Sequence, residues 1–382
     1  MTTERTADAG ASAGSGQPSG AEPRALPPGG FTTVFGRGLV DELAVFVHRP
    51  WLVVTMADLW PRFEAQLSAH LAGVHLVTTL ELEELEKAAD ALPACAAIVG
   101  LGGGQALDVA KFFAWRKGLP LFQVPTATTV NAPFGHRSGV RDQGRVRYLG
   151  WAIPEAVYID FDVIGSAPPM LNRSGVGDVL CYHTARRDWE LAERLGRTEP
   201  KWPFDPALVA DAATVMGSVV DALDEIHDGT EAGIRALVLA HRWGGTTFHD
   251  SGWVPRHIEG VDHFVFYNLE RITGRHFIHG QPVGLGIVAG SVLQDNEPER
   301  MAADLARAGV DIRPEAMGAT WDDVGEALRT LPTFVRDAGL WFSVADTMTI
   351  GDEHVARVRE VVDAAFGSST PVTDGRGGAA QR

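Results

Sequence analysis

The spacing of apolar positions changes along this chain, and the change divides it. From about residue 31 to 165, short apolar runs alternate with stretches whose apolar residues recur every three or four positions. The runs WLVVTM (51–56), VHLVTT (74–79), CAAIVGLG (95–102), PLFQVP (120–125) and AVYIDF (156–161) have the length and residue types of strands. Between them, GLVDELAVFV (38–47), WPRFEAQLSAHLAG (60–73) and LEELEKAADAL (82–92) carry helical spacing. Strand, helix, strand repeated predicts a parallel sheet covered by helices. SGVRDQGRVRYLG (138–150) reads as a hairpin turned at Asp142, Gln143 and Gly144.

After about residue 165 strand signals stop. Residues 205–229 predict one long helix, capped by Asp205 and closed by Gly229. Further helices are expected around 231–243, 261–274, 280–294, 297–309, 320–330 and 352–367. The expected architecture is an α/β region over 31–165 followed by an all-α region over 166–369. Residues 1–30 and 370–382, rich in small residues, glycine and proline, read as disordered tails. In open α/β sheets ligands bind at the carboxyl ends of the strands. A helical domain facing that edge makes a cleft, the default place for chemistry.

Composition narrows the function classes. A formal charge of −16 argues against nucleic-acid and anionic-membrane partners. Two cysteines, Cys95 and Cys181, lack CxxC spacing, which argues against a disulfide framework and suits a reducing cytoplasm. No stretch approaches the roughly 20 apolar residues of a membrane span.

The run CAAIVG feeds Gly102, Gly103 and Gly104, and a helical pattern starts at once. Glycine permits close backbone approach, and a helix N-terminus offers free N–H groups to a phosphate. The spacing is neither GxGxxG nor a Walker A loop, so the same residues also read as a plain strand-to-helix turn. Asp108 and Lys111, at i and i+3 on that helix, read at minimum as a surface ion pair worth ~0.3 kcal/mol. The next loop, VPTATTVNAP (124–133), offers Thr126, Thr128, Thr129 and Asn131 to a ribose, phosphate or carboxamide.

Three further side chains sit at helix edges in the helical half: Asp178, His263 and His279. Singly, each reads as an ordinary capping carboxylate or core histidine. Together, three N/O donors with an open position form the arrangement of a catalytic divalent metal. Zinc suits it, with iron and nickel as alternatives.

GGGQALDVAK resembles the GGGxxxDxxK motif of metal-dependent polyol dehydrogenases, the family of glycerol dehydrogenase, sn-glycerol-1-phosphate dehydrogenase and iron-containing alcohol dehydrogenases. VPTATTVNAP resembles their next loop, HGQPVGLG their HGExV metal helix, and GVGDVLCYHTARRDWELA the glycerol-1-phosphate branch in particular. The resemblance runs over roughly residues 31–310. It implies a Rossmann-like N-terminal domain binding NAD or NADP and a helical domain carrying the metal, in the dehydroquinate synthase-like architecture. It implies Asp178, His263 and His279 as metal ligands. It assigns Gly102, Gly103, Gly104, Gln105, Asp108, Thr126 and Thr129 to the cofactor, and Asn131 and Lys111 to the catalytic centre.

Several positions depart from the family pattern. The iron branch has a second early histidine where this chain has Tyr182, with His183 one step away, so the three-ligand, zinc-like branch fits better. Asn131 replaces an aspartate that lies against substrate in glycerol dehydrogenases, keeping shape and losing charge. Gln281 replaces a glutamate. Met56 stands where NAD-selective relatives carry aspartate, with Asp58 nearby. HRWGGTTFHDSGWVPRHIEG (241–260) matches nothing expected of the family, and its Trp243 and Trp253 either line an unusual pocket or pack.

The expected activity is reversible hydride transfer between a nicotinamide and a metal-bound alcohol or carbonyl, with His136 and His276 as candidate proton relays. The substrate reads as glycerol 1-phosphate or as a hydroxyl on a specialised metabolite or modified peptide. A sugar-phosphate cyclase is the competing reading within the architecture. It is disfavoured by an aspartate first ligand and by scarce lysines. The expected partner is a small molecule, and a homo-oligomer is compatible with the sequence.

Overall fold

The computed structural model describes residues 31–367 apart from residues 47, 143–144 and 251–252. The segments read as tails and the tip of the expected hairpin lie outside the described residues.

Six strands form one parallel sheet: β1 (Thr32–Gly36), β2 (Trp51–Thr55), β3 (Leu71–Leu76), β4 (Ala97–Gly102), β5 (Leu121–Pro125) and, after the antiparallel pair β6 (Ser138–Asp142) and β7 (Arg145–Leu149), β8 (Ala156–Asp160). Their spatial order is β1-β8-β5-β4-β2-β3. β2, β4, β5 and β8 are buried throughout, which is why they read as unbroken apolar runs. The strand β1 was not foreseen. It is short, and it exists because it pairs with β8 from Thr32–Ala156 to Gly36–Asp160, a partner far downstream.

The helices α1 (Leu39–Phe46), α2 (Trp60–Leu67), α3 (Leu82–Asp90) and α4 (Gly104–Lys117) connect these strands. The helix expected over 60–73 stops at Leu67. Leu71 and Gly73 pair instead with Trp51 and Leu52 of β2, and the ladder overrides the helical spacing. The helix α4 packs close on β4 because Gly100 has no side chain: a Cβ there would lie 2.8 Å from the Ala110 Cβ.

Every described element beyond β8 is helical: α5 (Phe161–Gly165), α6 (Pro169–Ser174), α7 (Gly177–Leu180), α8 (Tyr182–Arg194), α9 (Pro206–Asp221), α10 (Leu223–Asp228), α11 (Glu231–Asp250), α12 (Val261–Thr273), α13 (Gly280–Gln294), α14 (Pro298–Ala308), α15 (Trp321–Ala338) and α16 (Asp352–Phe366), with short 3-10 turns between. Asp205 does cap its helix, accepting from the Ala207 and Leu208 N–H groups, and Gly229 ends α10 at φ +67°. The long helix expected over 205–229 breaks at Ala222 into α9 and α10. The helix α11 runs past its expected end to Asp250, and α15 continues to Ala338 across Pro332.

The core of this half is α13, whose residues 280–291 are all buried. A helix apolar on every side belongs inside. It carries glycines where α12 crosses it: a Cβ on Gly286 would sit 2.1 Å from the Asp262 carbonyl oxygen. Asp188 on α8 is a buried hub. Its carboxylate accepts from the Val261 and Val344 N–H groups, both at 2.8 Å, and from Gln294 Nε2 at 2.9 Å.

His257 shows how polar groups are held in this core. It is fully buried beside Trp243 and Trp189, with ring centroids 5.5 and 6.4 Å away. Neither ring nitrogen has a hydrogen-bond partner among the described residues. Burial pulls its pKa from 6.5 down to about 3. A depressed imidazole contributes stability that is complete above pH 6.5 and is lost as pH falls toward 3, because only the unfolded chain takes the proton. His257→Phe is therefore expected to flatten the pH dependence of stability between pH 6 and 4 by about 1.4 kcal/mol per pH unit. Urea unfolding of both proteins at several pH values checks this.

Candidate active site

Asp178, His263 and His279 come from three elements: α7, the first turn of α12, and the residue that starts α13. Two glycines let these elements meet. A Cβ on Gly177 would lie 2.4 Å from the Gly280 carbonyl oxygen, and one on Gly280 would lie 1.6 Å from that of Ser174. Backbone-to-backbone contact thus sets Asp178 beside His279.

The three side chains each turn one donor atom inward, all within 4.8 Å of one another. His279 Nε2 is 3.2 Å and His263 Nε2 3.9 Å from Asp178 Oδ1. Tetrahedral zinc with bonds near 2.0–2.1 Å separates its ligand atoms by about 3.3 Å. The donor set therefore fits a divalent metal in both chemistry and spacing. Asp178 Oδ2 accepts from the Asn131 backbone N–H at 2.9 Å, which ties the carboxylate to the loop after β5.

His263 has an orienting partner, Asp262, that its local sequence does not mark. Asp262 Oδ1 lies 2.5 Å from His263 Nδ1, and Thr184 donates to Asp262 Oδ2 at 2.6 Å. A carboxylate on Nδ1 fixes the tautomer and leaves Nε2 free for the metal. Burial disfavours the charged imidazole, but Asp262, Glu259 and Asp178 raise its pKa to about 9, so a metal at Nε2 takes the place of a proton. Cys181, Asp262 and His263 form a second convergent trio. Its thiol faces the Ile258 carbonyl oxygen at 3.0 Å, and its imidazole nitrogen is the one held by Asp262.

The glycine turn lies where β4 meets α4. Gly102 has φ +154°, a region that favours glycine, and Gly103 faces space that holds nothing within 4 Å of a Cβ. No side chain caps the α4 N-terminus. Open backbone and uncapped N–H groups fit a pyrophosphate. Gln105 is exposed on the first turn, Thr126 is buried with its N–H on the Gly102 carbonyl at 3.0 Å, and Thr129 is half-buried. Thr128 is bound to Asn172 and serves packing. Met56 abuts Gly102, and Asp58 is exposed.

Asp108 and Lys111 do not form the surface pair that their spacing suggested. Lys111 is 2% exposed, its Nζ 2.7 Å from Asp108 and donating to the Arg137 carbonyl at 2.6 Å. The pair holds the base of the β6–β7 hairpin to α4. Asp108, Lys111 and Asn131 line one recess of about 170 Å³ together with Asp178, His263 and His279. Arg137, Tyr148, Glu259 and Tyr267 line it too. Of these four, Glu259 alone carries a local sequence signal, one turn before His263. His136 and His276 lie elsewhere: His136 is buried against Trp151, and His276 is an exposed partner of Glu270. Trp253 lines a cavity, whereas Trp243 packs against Tyr182.

A family model described as iron-containing alcohol dehydrogenase matches residues 50–168. The NAD(P)+-linked glycerol-1-phosphate dehydrogenase of Thermofilum pendens is 30% identical over 286 residues, 72% of this chain and 81% of its own length. That of Methanosarcina mazei is 29% identical over 70% of this chain and 73% of its own. The structure of a probable glycerol dehydrogenase from Sinorhizobium meliloti superposes with TM-score 0.69 at 19% identity, over 91% of this chain and all of the other. Sulfoacetaldehyde reductase from Bifidobacterium kashiwanohense, solved with NAD+, gives 0.62 at 17% identity over 87% and 97%. These neighbours share the α/β-plus-helical fold found here.

Two outcomes follow from the geometry. Asp262→Ala should weaken divalent-metal binding roughly 10- to 100-fold in a chelator-competition titration. Gly280→Ala should abolish stoichiometric metal, read by elemental analysis of protein whose circular dichroism shows it folded.

Proposed function

The chain belongs to the family of metal-dependent polyol dehydrogenases, and on that premise we propose that the recess at Asp178, His263 and His279 is where hydride is exchanged. The protein is an NAD(P)-dependent oxidoreductase acting on CH–OH groups of small molecules, with a divalent metal. The observation that carries the local reading is the convergence of the three N/O donors on one side of a recess whose other side is the α4 pair and the Asn131 loop.

Asp178, His263 and His279 hold the metal. Zinc is the ion we assign, because a three-donor N/O set at these separations leaves one tetrahedral position open. Gly102, Gly103 and Gly104, with the first-turn N–H groups of α4 and Gln105, hold the pyrophosphate. Thr126 and Thr129 face the nicotinamide half, and Asp108 braces Lys111. The two bound groups supply Lewis acidity toward a substrate oxygen and a hydride carrier.

The chain's own residues do the rest. Asn131 and Lys111 bound the space left for the reacting carbon, and their fixed positions supply orientation. Glu259, with Tyr267 Oη 3.5 Å from its Oε2, is the carboxyl placed to receive the proton from the hydroxyl. Arg137, stacked 4.4 Å from the Trp253 ring with its Nε unpartnered among the described residues, is the cation in reach of an anionic substituent. Dihydroxyacetone phosphate is the first carbonyl to try, because the curated relatives are glycerol-1-phosphate dehydrogenases by name.

Alanine at Asp178, His263 or His279 should each remove stoichiometric metal and lower kcat/KM at least about a thousandfold. Reduced-nicotinamide absorbance is the readout. Full turnover in any of the three variants overturns the assignment, and release of inorganic phosphate without net nicotinamide reduction favours the cyclase reading.

A further inference from the structure

The metal recess is not the end of the cavity system. It shares Tyr148, Phe248, Glu259 and Tyr267 with a second chamber of about 780 Å³. That volume lies within the 300–1,000 Å³ range of small-molecule pockets and is several times that of the recess. No residue of the glycine turn or of the loop 126–129 lines it, so it is not the dinucleotide's share of the cleft.

Its walls are aromatic. Trp202, Phe248, Trp253, Phe334 and Trp341 face it with the two shared tyrosines. Its charged groups carry both signs: Arg141 lies 3.5 Å and His276 3.4 Å from Glu270, Arg271 stacks over the Phe334 ring at 5.6 Å, and Arg275 and Asp337 stand at the rim with Glu259 at the recess side. The aromatic walls suit rings.

Two observations mark the chamber as built for an occupant. Val146 and Tyr148 alternate on β7, so they share one face, and both are among the exposed large apolar residues at 45% and 40%. They are apolar surface left uncovered at the cavity mouth. Trp253 has φ +67°, a left-handed backbone that a bulky residue adopts only when its surroundings hold it there. What holds it is a cluster of rings: Phe248 tilted at 4.3 Å and Tyr148 edge-on at 5.5 Å between centroids, with Arg137 over the ring. The strained residue and the rings around it stand between recess and chamber, since Tyr148 and Phe248 line both.

We propose that the chamber binds the body of the substrate: an alcohol or carbonyl compound whose reactive carbon enters the recess and whose bulky, mostly apolar ring system fills the aromatic chamber. This rests on the reading of the recess as the site of hydride exchange. A three-carbon phosphate leaves the chamber unfilled, whereas a ring system covers Val146, Tyr148 and the tryptophans.

The test uses the zinc- and NAD(P)+-loaded enzyme and compares kcat/KM for 1-propanol, benzyl alcohol, 2-naphthylmethanol and glycerol 1-phosphate. The expected rise from 1-propanol to 2-naphthylmethanol is on the order of 100-fold, the transfer gain of burying two fused rings. Ala338→Trp, at the exposed end of α15 on the chamber wall, should cut the ratio of 2-naphthylmethanol to 1-propanol activity about tenfold by filling that space. A flat alcohol series, or glycerol 1-phosphate preferred to every ring-bearing alcohol, overturns the chamber assignment and leaves the dehydrogenase reading standing. Absence of oxidation with all four compounds instead counts against the recess. Calorimetric titration with 2-naphthylmethanol then decides the chamber: saturable binding weakened by Ala338→Trp supports it, and no saturation overturns it.

Discussion

The site depends on a backbone contact that only glycine permits. Gly280 opens α13 against the carbonyl of Ser174, and Gly177 opens α7 against the carbonyl of Gly280. Neither position has room for a single methyl group. Close-packed interiors absorb such intrusions only by moving backbone. Asp178 follows Gly177 and His279 precedes Gly280, so the two donors inherit their separation from that contact rather than from side-chain choice. The third donor is placed the same way at one remove, since Gly286 lets the carbonyl of Asp262 lie against α13.

Around this frame the polar groups of the core are tied down. Asp262 is held by Thr184 and in turn holds His263, and Asp188 collects N–H groups from two separate segments. A buried carboxylate is tolerable only when donors surround it. On the other side of the cleft, Lys111 links α4 to the hairpin through Asp108 and the Arg137 carbonyl. The two halves therefore face each other with rigid polar anchors on both sides of the recess, the condition for holding two reactants in register.

Much of this was legible in the sequence where the signal was local. Apolar runs buried on both faces announced β2, β4, β5 and β8, and the three glycines with the following helical pattern announced the turn. Asp205 and Gly229 marked helix ends correctly. Where pairing over distance decided, the sequence was silent or misleading: β1 needs β8, and Leu71–Gly73 leave the helix because β2 takes them. Asp178, His263 and His279 were each ambiguous alone, and the geometry brings them together. Asp262 and Glu259 were overlooked because a carboxylate beside a glycine or histidine on a helix start is commonplace. Spacing pairs Lys111 with Asp108, but it does not report that the hairpin packs over them, because spacing along a helix says nothing of what covers it. The aromatic lining was unreadable because its members come from β7, the segment before α9, α11, the turn at 253, α12 and the C-terminal end of α15, which meet only in the folded chain.

The helix α13 has no face left over. Its sides are taken by neighbours along most of its length, so nothing about it can slide without disturbing the whole interior. The chamber rests on α12 at Tyr267, Glu270 and Arg271, and its other walls include β7, the turn at 253 and the C-terminal end of α15. One side of the guest's space is thus fixed by the packed interior, and the other is formed by side chains nearer the surface. Exchange of bulk on the outer side alters which compound is admitted while the packed side stays put, which makes the periphery the natural ground for divergence of appetite among relatives that keep one reaction.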